Sequence, residues 1–63
     1  MNFIELHDNN RARLIAIDNI ACIKQYDDEV GIVMIGAERY IYVDESYEQI
    51  KNKLQEAGFI WNV

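Results

Sequence analysis

The sequence predicts an α+β fold, a small antiparallel β-meander of about five strands with one C-terminal α-helix packed on it. Three observations carry this: turn-forming clusters at short intervals, apolar alternation between them, and one late stretch with helical spacing. The clusters are "DNN" (Asp8 to Asn10), "DN" (Asp18, Asn19), "DDE" (Asp27 to Glu29) and "GAE" (Gly36 to Glu38). Asn, Asp and Gly suit such points because they tolerate positive φ and their side chains satisfy turn backbone. Between them lie five strand-length segments, 2–7, 11–17, 20–26, 30–35 and 39–43, forming one domain over residues 1–63. Connections of two or three residues imply that neighbouring strands pair antiparallel.

Period two sorts the faces. In the first strand Ile4 and Leu6 oppose Phe3, Glu5 and His7; in the second, Ala12, Leu14 and Ala16 oppose Arg11, Arg13, Ile15 and Ile17. In the later strands both faces are apolar: Val30, Ile32 and Met34 oppose Gly31, Val33 and Ile35, while Tyr40 and Tyr42 oppose Ile41 and Val43. A sheet with one wet face does not look like that. The expectation is a cover on the second face.

Residues 46–57 supply a helix for that purpose. Ser46 with Gln49 has capping-box spacing, acidic Asp44, Glu45 and Glu48 sit where the helix dipole favours negative charge, and Gly58 is placed to end it. Tyr47, Ile50, Leu54 and Ala57 recur at three, four and three, giving one apolar stripe. At 1.5 Å per residue this lid is about 18 Å long, enough for roughly half of a five-stranded sheet. The tail "FIWNV" also needs cover; it either folds back onto the same sheet or meets another subunit.

At 63 residues the chain lies in the range where folding hides only about 60% of the unfolded surface. Such domains lean on disulfides, a metal or a partner chain. The single cysteine, Cys22, excludes an internal disulfide, and one histidine, His7, cannot build a structural zinc site. A partner chain remains, so the expectation is a homo-oligomer or a complex with another protein. Eleven acidic against six basic residues give a net charge of −5, which opposes nucleic acid and anionic membranes. The opening "MNFIELHDN" lacks the pattern of a secretory signal, and the longest apolar run, "LIAI", is far shorter than a membrane span. A soluble, reducing, cytoplasmic setting is expected.

No segment reads as catalytic, and no cofactor is called for. Glu5, His7 and Asp8 form a weak metal pattern, because a metal site wants convergence from more than one segment; a solvated strand end is the plainer reading. Cys22 lacks an activating base and reads as a buried or half-buried structural thiol. Asp27, Asp28 and Glu29 lack the glycine and distant carboxylate of a calcium loop, leaving a solvated hairpin turn. The amphipathic rings Tyr26, Tyr40, Tyr42, Tyr47 and Trp61 are of the type enriched at protein interfaces and in RNA-stacking sheets. With few basic residues interleaved, protein contact is favoured, and Tyr40, Tyr42, Phe59 and Trp61 are the candidate interface.

The stretch "RLIAIDNIACIKQYDDEVGIVMIGAERYIYVDESYEQIKNKL" resembles the small FlbD-type proteins of flagellar operons. The resemblance rests on Ile20, Ile23, Asp27, Asp28, Gly36, Tyr40, Val43, Glu45, Ser46, Glu48, Ile50 and Leu54; that family's Asn-Gly turns are replaced here by "DNN" and "IGAE". It implies a non-enzymatic regulatory or assembly protein. "IACIKQYDDEVGIVMI", "RYIYVDESYEQIKNKL" and "GFIWNV" are also similar to the first part of LytTR-type DNA-binding domains. That similarity implies the alternative, a nucleic-acid or small-ligand binding module.

Overall fold

The computed structural model describes residues 2–59. Five strands are present: β1 (Phe3–Asp8), β2 (Arg11–Ala16), β3 (Ile20–Tyr26), β4 (Glu29–Met34) and β5 (Tyr40–Val43), followed by the helix α1 (Tyr47–Glu56). All paired strands are antiparallel, as the short connections require.

The fold is the expected α+β arrangement of antiparallel strands and one C-terminal helix, with the five strands divided between two sheets. β1 and β2 make a two-stranded hairpin, while β3, β4 and β5 make a separate three-stranded sheet in that order. The break falls where residue 17 was expected to end the second strand. Ile17–Asn19 instead forms a 3-10 turn, with the Ile17 N–H donated to the Asn2 carbonyl of one sheet and the Ile35 N–H donated to the Asn19 carbonyl from the other. Ile17 thus ends the first sheet and Asn19 begins contact with the second, so β2 and β3 part company. The third strand has its expected bounds, and the others shift by a residue: the first strand runs 3–8, not 2–7, the fourth 29–34, not 30–35, the fifth starts at Tyr40, not at 39, and the helix proper is 47–56, not 46–57.

Local chemistry explains the turns. Asn9 and Asn10 both sit at positive φ, 50° and 67°, the geometry of the two-residue hairpin turn whose twist matches that of the flanking strands. Asparagine tolerates it at little steric cost. At the helix start the predicted capping box is complete: Ser46 Oγ accepts the Gln49 N–H while Gln49 Oε1 accepts the Ser46 N–H. At the other end Gly58 takes φ 83°, and the Phe59 N–H returns to the Leu54 carbonyl, closing the helix.

The core has three walls. Ile4, Leu6 and Ile15 come from the hairpin, Val30, Ile32 and Val43 from the three-stranded sheet, and Ile50 and Leu54 from α1. Leu6, Ile32 and Ile50 are fully buried at its centre. The hairpin therefore shares the covering role expected of the helix alone, and both lie on the same face of the larger sheet. The apolar stripe of α1 is narrower than its spacing suggested, since Tyr47 and Ala57 are exposed. Among the described residues no helix is long and apolar enough to cross a membrane.

Candidate interaction surface

Residues paired directly across an antiparallel sheet share a face, so the register separates the two sides of β3–β4–β5. Ile23, Ile32 and Ile41 align on the core side; Cys22, Val33 and Tyr40 align on the other, as do Lys24, Gly31 and Tyr42. Cys22, expected to be buried or half-buried, is thus exposed on the uncovered face. This outer face is the second apolar face seen in the sequence. Among the described residues, neither the hairpin nor α1 covers it.

Three tyrosines occupy it as a connected ridge. The Tyr26 and Tyr40 rings meet edge to face with centroids 5.6 Å apart, and Tyr40 and Tyr42 lie 6.1 Å apart. The Tyr26 hydroxyl donates to the Tyr40 hydroxyl at 2.8 Å. Gly31 makes this packing possible: a Cβ built there would meet Tyr40 Cδ1 at 2.8 Å, closer than side-chain atoms approach. Tyr40 leans along its strand into the space that the glycine leaves and buries it. Lys24 Nζ lies 6.0 Å from the centre of the Tyr40 ring.

The phenols are inequivalent. The hydrogen bond from Tyr26, with the Lys24 ammonium beside it, holds the Tyr40 hydroxyl below the usual phenol range, while donating that same bond pushes Tyr26 up. Proximity to the Tyr40 hydroxyl raises the Lys24 ammonium. Tyr26 and Tyr42 remain 42% and 48% exposed. The ridge is an amphipathic aromatic surface with one positive charge beside it.

The expected interface residues divide. Tyr40 and Tyr42 sit together on the ridge; Phe59 follows α1, which packs on the opposite face of the sheet, and Trp61 lies outside the described residues. Tyr26 belongs with them but was absent from the expected set. The two-residue turn at Asp27 and Asp28 carries the needed signal, since it fixes Tyr26 opposite Glu29 and hence on the Lys24 side.

A second polar arrangement lies at the seam between the sheets. The Asp44 N–H donates to the His7 carbonyl at 2.8 Å, and the Asp44 carboxylate accepts the N–H groups of Asn9 and Asn10 at 3.2 and 2.8 Å. Glu45 accepts the His7 main-chain N–H at 2.8 Å and contacts His7 Nδ1 at 2.6 Å. These carboxylates, expected at the helix start for its dipole, reach back to fasten the hairpin. His7, read as a solvated strand end, is instead a half-buried partner of Glu45. Burial pushes the Glu45 carboxyl up, but the hydrogen bonds from the His7 ring and main chain outweigh it and hold the group below its ordinary value. Among the described residues no group of three or more His, Cys, Asp or Glu is placed to hold a metal ion.

Beside this seam runs an open groove of about 890 Å³. Residues 39–44 line it in unbroken succession, facing the hairpin tip and the β3–β4 turn. A smaller apolar dent of about 120 Å³ lies between Ile23 of β3 and Tyr47, Ile50, Lys51 and Leu54 of the helix. Comparison with protein-family models, curated proteins and solved structures gives no match, so the surface is read from its own geometry.

Proposed function

We propose that the protein is a non-enzymatic interaction module, a small regulatory or assembly protein of the cytoplasm that associates with its own copies. One observation supports it above the rest: the tyrosines of the outer sheet face are held by one another and by Gly31 while staying open to solvent. Rings already fixed on a strand scaffold lose little conformational freedom on contact, which is why tyrosine dominates many protein interfaces. The FlbD-type resemblance points the same way.

Light scattering and sedimentation across micromolar concentrations test the reading. The expected result is a reversible dimer or larger species, with Tyr42→Ser shifting the equilibrium towards monomer. A folded monomer at every concentration would remove self-association.

The competing reading is a nucleic-acid or small-ligand binder related to LytTR-type domains. Its support is Lys24 set beside the Tyr40 ring, the pairing of cation and aromatic that single strands use. Against it stand Asp8, Asp28, Glu29 and Asp44 in the adjoining groove. Submicromolar binding to mixed duplex or single-stranded nucleic acid at low salt would promote that reading over self-association.

A further inference from the structure

We propose that the outer edge of β5 is a strand-addition site for a basic, extended segment of a partner polypeptide. The proposal rests on the interaction-module reading but concerns a strand edge and its groove, not the tyrosine ridge.

A strand bonded on one side only presents a row of unpaired N–H and C=O groups, and proteins normally defend such edges with charge, bulges or cover. Four strands have an edge of this kind, β1, β2, β3 and β5; that of β1 is taken up by Asp44 and Glu45 at His7 and by Lys53 at Glu5. β2 carries Arg11 and Arg13, and β3 carries Lys24 together with a register irregularity between Ile20 and Cys22, so both are protected. β5 reads Tyr-Ile-Tyr-Val, with no charge and no irregularity in its pairing to β4. Among the described residues no strand pairs with its far edge. The main-chain bond there, Asp44 N–H to the His7 carbonyl, lies one residue past the strand.

Instead of cover, that edge has the groove of about 890 Å³. The tip of the hairpin is pinned to Asp44, but no ladder joins β5 to the hairpin, so β5 and the hairpin tip bound an open slot. An extended chain satisfies what the slot offers, backbone partners along one wall and side-chain room on either face of the strand.

Charge selects the occupant. Asp8, Asp28, Glu29 and Asp44 line the groove against Arg13 and Arg39, and Arg13 already bonds Asp8 at 3.3 Å. The acids gather towards the Asp44 end of β5, where Glu29 precedes the Val30–Val43 pair and the Asp44 carboxylate holds the hairpin tip, yet among the described residues no group of three or more is placed to hold a metal ion. That acidic end suits cations carried by an entering strand. A net charge of −5 adds attraction at longer range.

The test uses the full chain and three capped synthetic nonapeptides: one alternating arginine and valine, its glutamate counterpart, and the arginine peptide with alternate backbone nitrogens methylated. At physiological salt the arginine peptide is expected to bind at least about tenfold tighter than either control. Its binding should slow hydrogen exchange at the amides of Tyr40 and Tyr42, which alternate with Asp44 towards the free edge, and Glu29→Gln should weaken it. No binding at about 1 mM, or binding that backbone methylation leaves unchanged, would overturn the proposal, the latter showing charge attraction alone. Peptide-induced protection at β3 instead would overturn it too. Protection of β5 that rises with protein concentration without peptide would make a second copy the occupant. Oligomer formation without peptide binding defeats this proposal and spares the self-association reading; peptide binding by a strict monomer does the reverse.

Discussion

The hairpin and the three-stranded sheet are both antiparallel, and each gives three residues to the core, yet different forces hold them. The larger sheet is bound internally by two strand pairings and reinforced on its outer side by tyrosines. The hairpin has no ladder to it. It docks by apolar contact and by a small set of polar bonds from Asp44, Glu45 and Lys53, the last donating from Nζ to the Glu5 carbonyl at 3.1 Å. Ladder bonds are many and individually replaceable; the seam bonds are few and partly charged. The hairpin is therefore the part that conditions and mutations should loosen first.

Truncation of the core gives the largest effects and tests this ordering. Leu6→Ala and Ile32→Ala each remove a fully buried side chain and should cost about 3 kcal/mol, a large share of the 5 or so typical of so small a domain. In Leu6→Ala, hydrogen exchange should speed up more in β1 and β2 than in β3 to β5. Equal acceleration throughout would show a single cooperative unit and erase the distinction.

Gly31→Ala probes the larger sheet alone. The new methyl must displace the Tyr40 ring, at a cost of about 2 kcal/mol, with loss of the tyrosine near-ultraviolet dichroism and no change in exchange at the seam. An unchanged tyrosine signal would mean that the ring does not depend on the glycine.

Glu45→Gln probes the seam alone, with an expected cost of about 1.5 kcal/mol at neutral pH. The wild-type carboxyl holds its proton less tightly folded than unfolded. Its stabilisation is therefore present above the unfolded value, about 4.3, and fades as pH falls through the folded one. Urea titrations should show the difference between wild type and variant shrinking on acidification in that range. A gap that stays constant with pH would rule out the carboxylate as its source. Ser46→Ala removes one helix-capping bond and should cost about 1 kcal/mol, read as a lower urea midpoint without a change in slope.

How far these features were legible in the sequence follows the same division. Elements defined by local chemistry were readable: the Asn9–Asn10 turn, the Ser46–Gln49 box and the alternation of Ile4 and Leu6. The split between sheets was not, because Ile17 to Asn19 carries residues equally suited to a tight hairpin turn, and only the long-range bonds to Asn2 and Ile35 decide otherwise. Apolarity on both faces of the later strands announced an uncovered surface but not its order. That Tyr40 leans over Gly31 to reach Tyr26 depends on register across three strands. The seam was hidden for another reason: carboxylates before a helix look like dipole partners whether or not a distant hairpin claims them.

Asp44, Glu45 and Ser46 serve three clients in succession: a turn, a histidine and a helix start. Each residue has a target fixed by a different part of the fold, so the spacing between Val43 and Tyr47 has no slack. Inserting a single glycine there would leave every side chain chemically intact and still place at least one of them beyond reach of its target. Length, rather than composition, is the property of this connection that evolution or a designer is least free to alter.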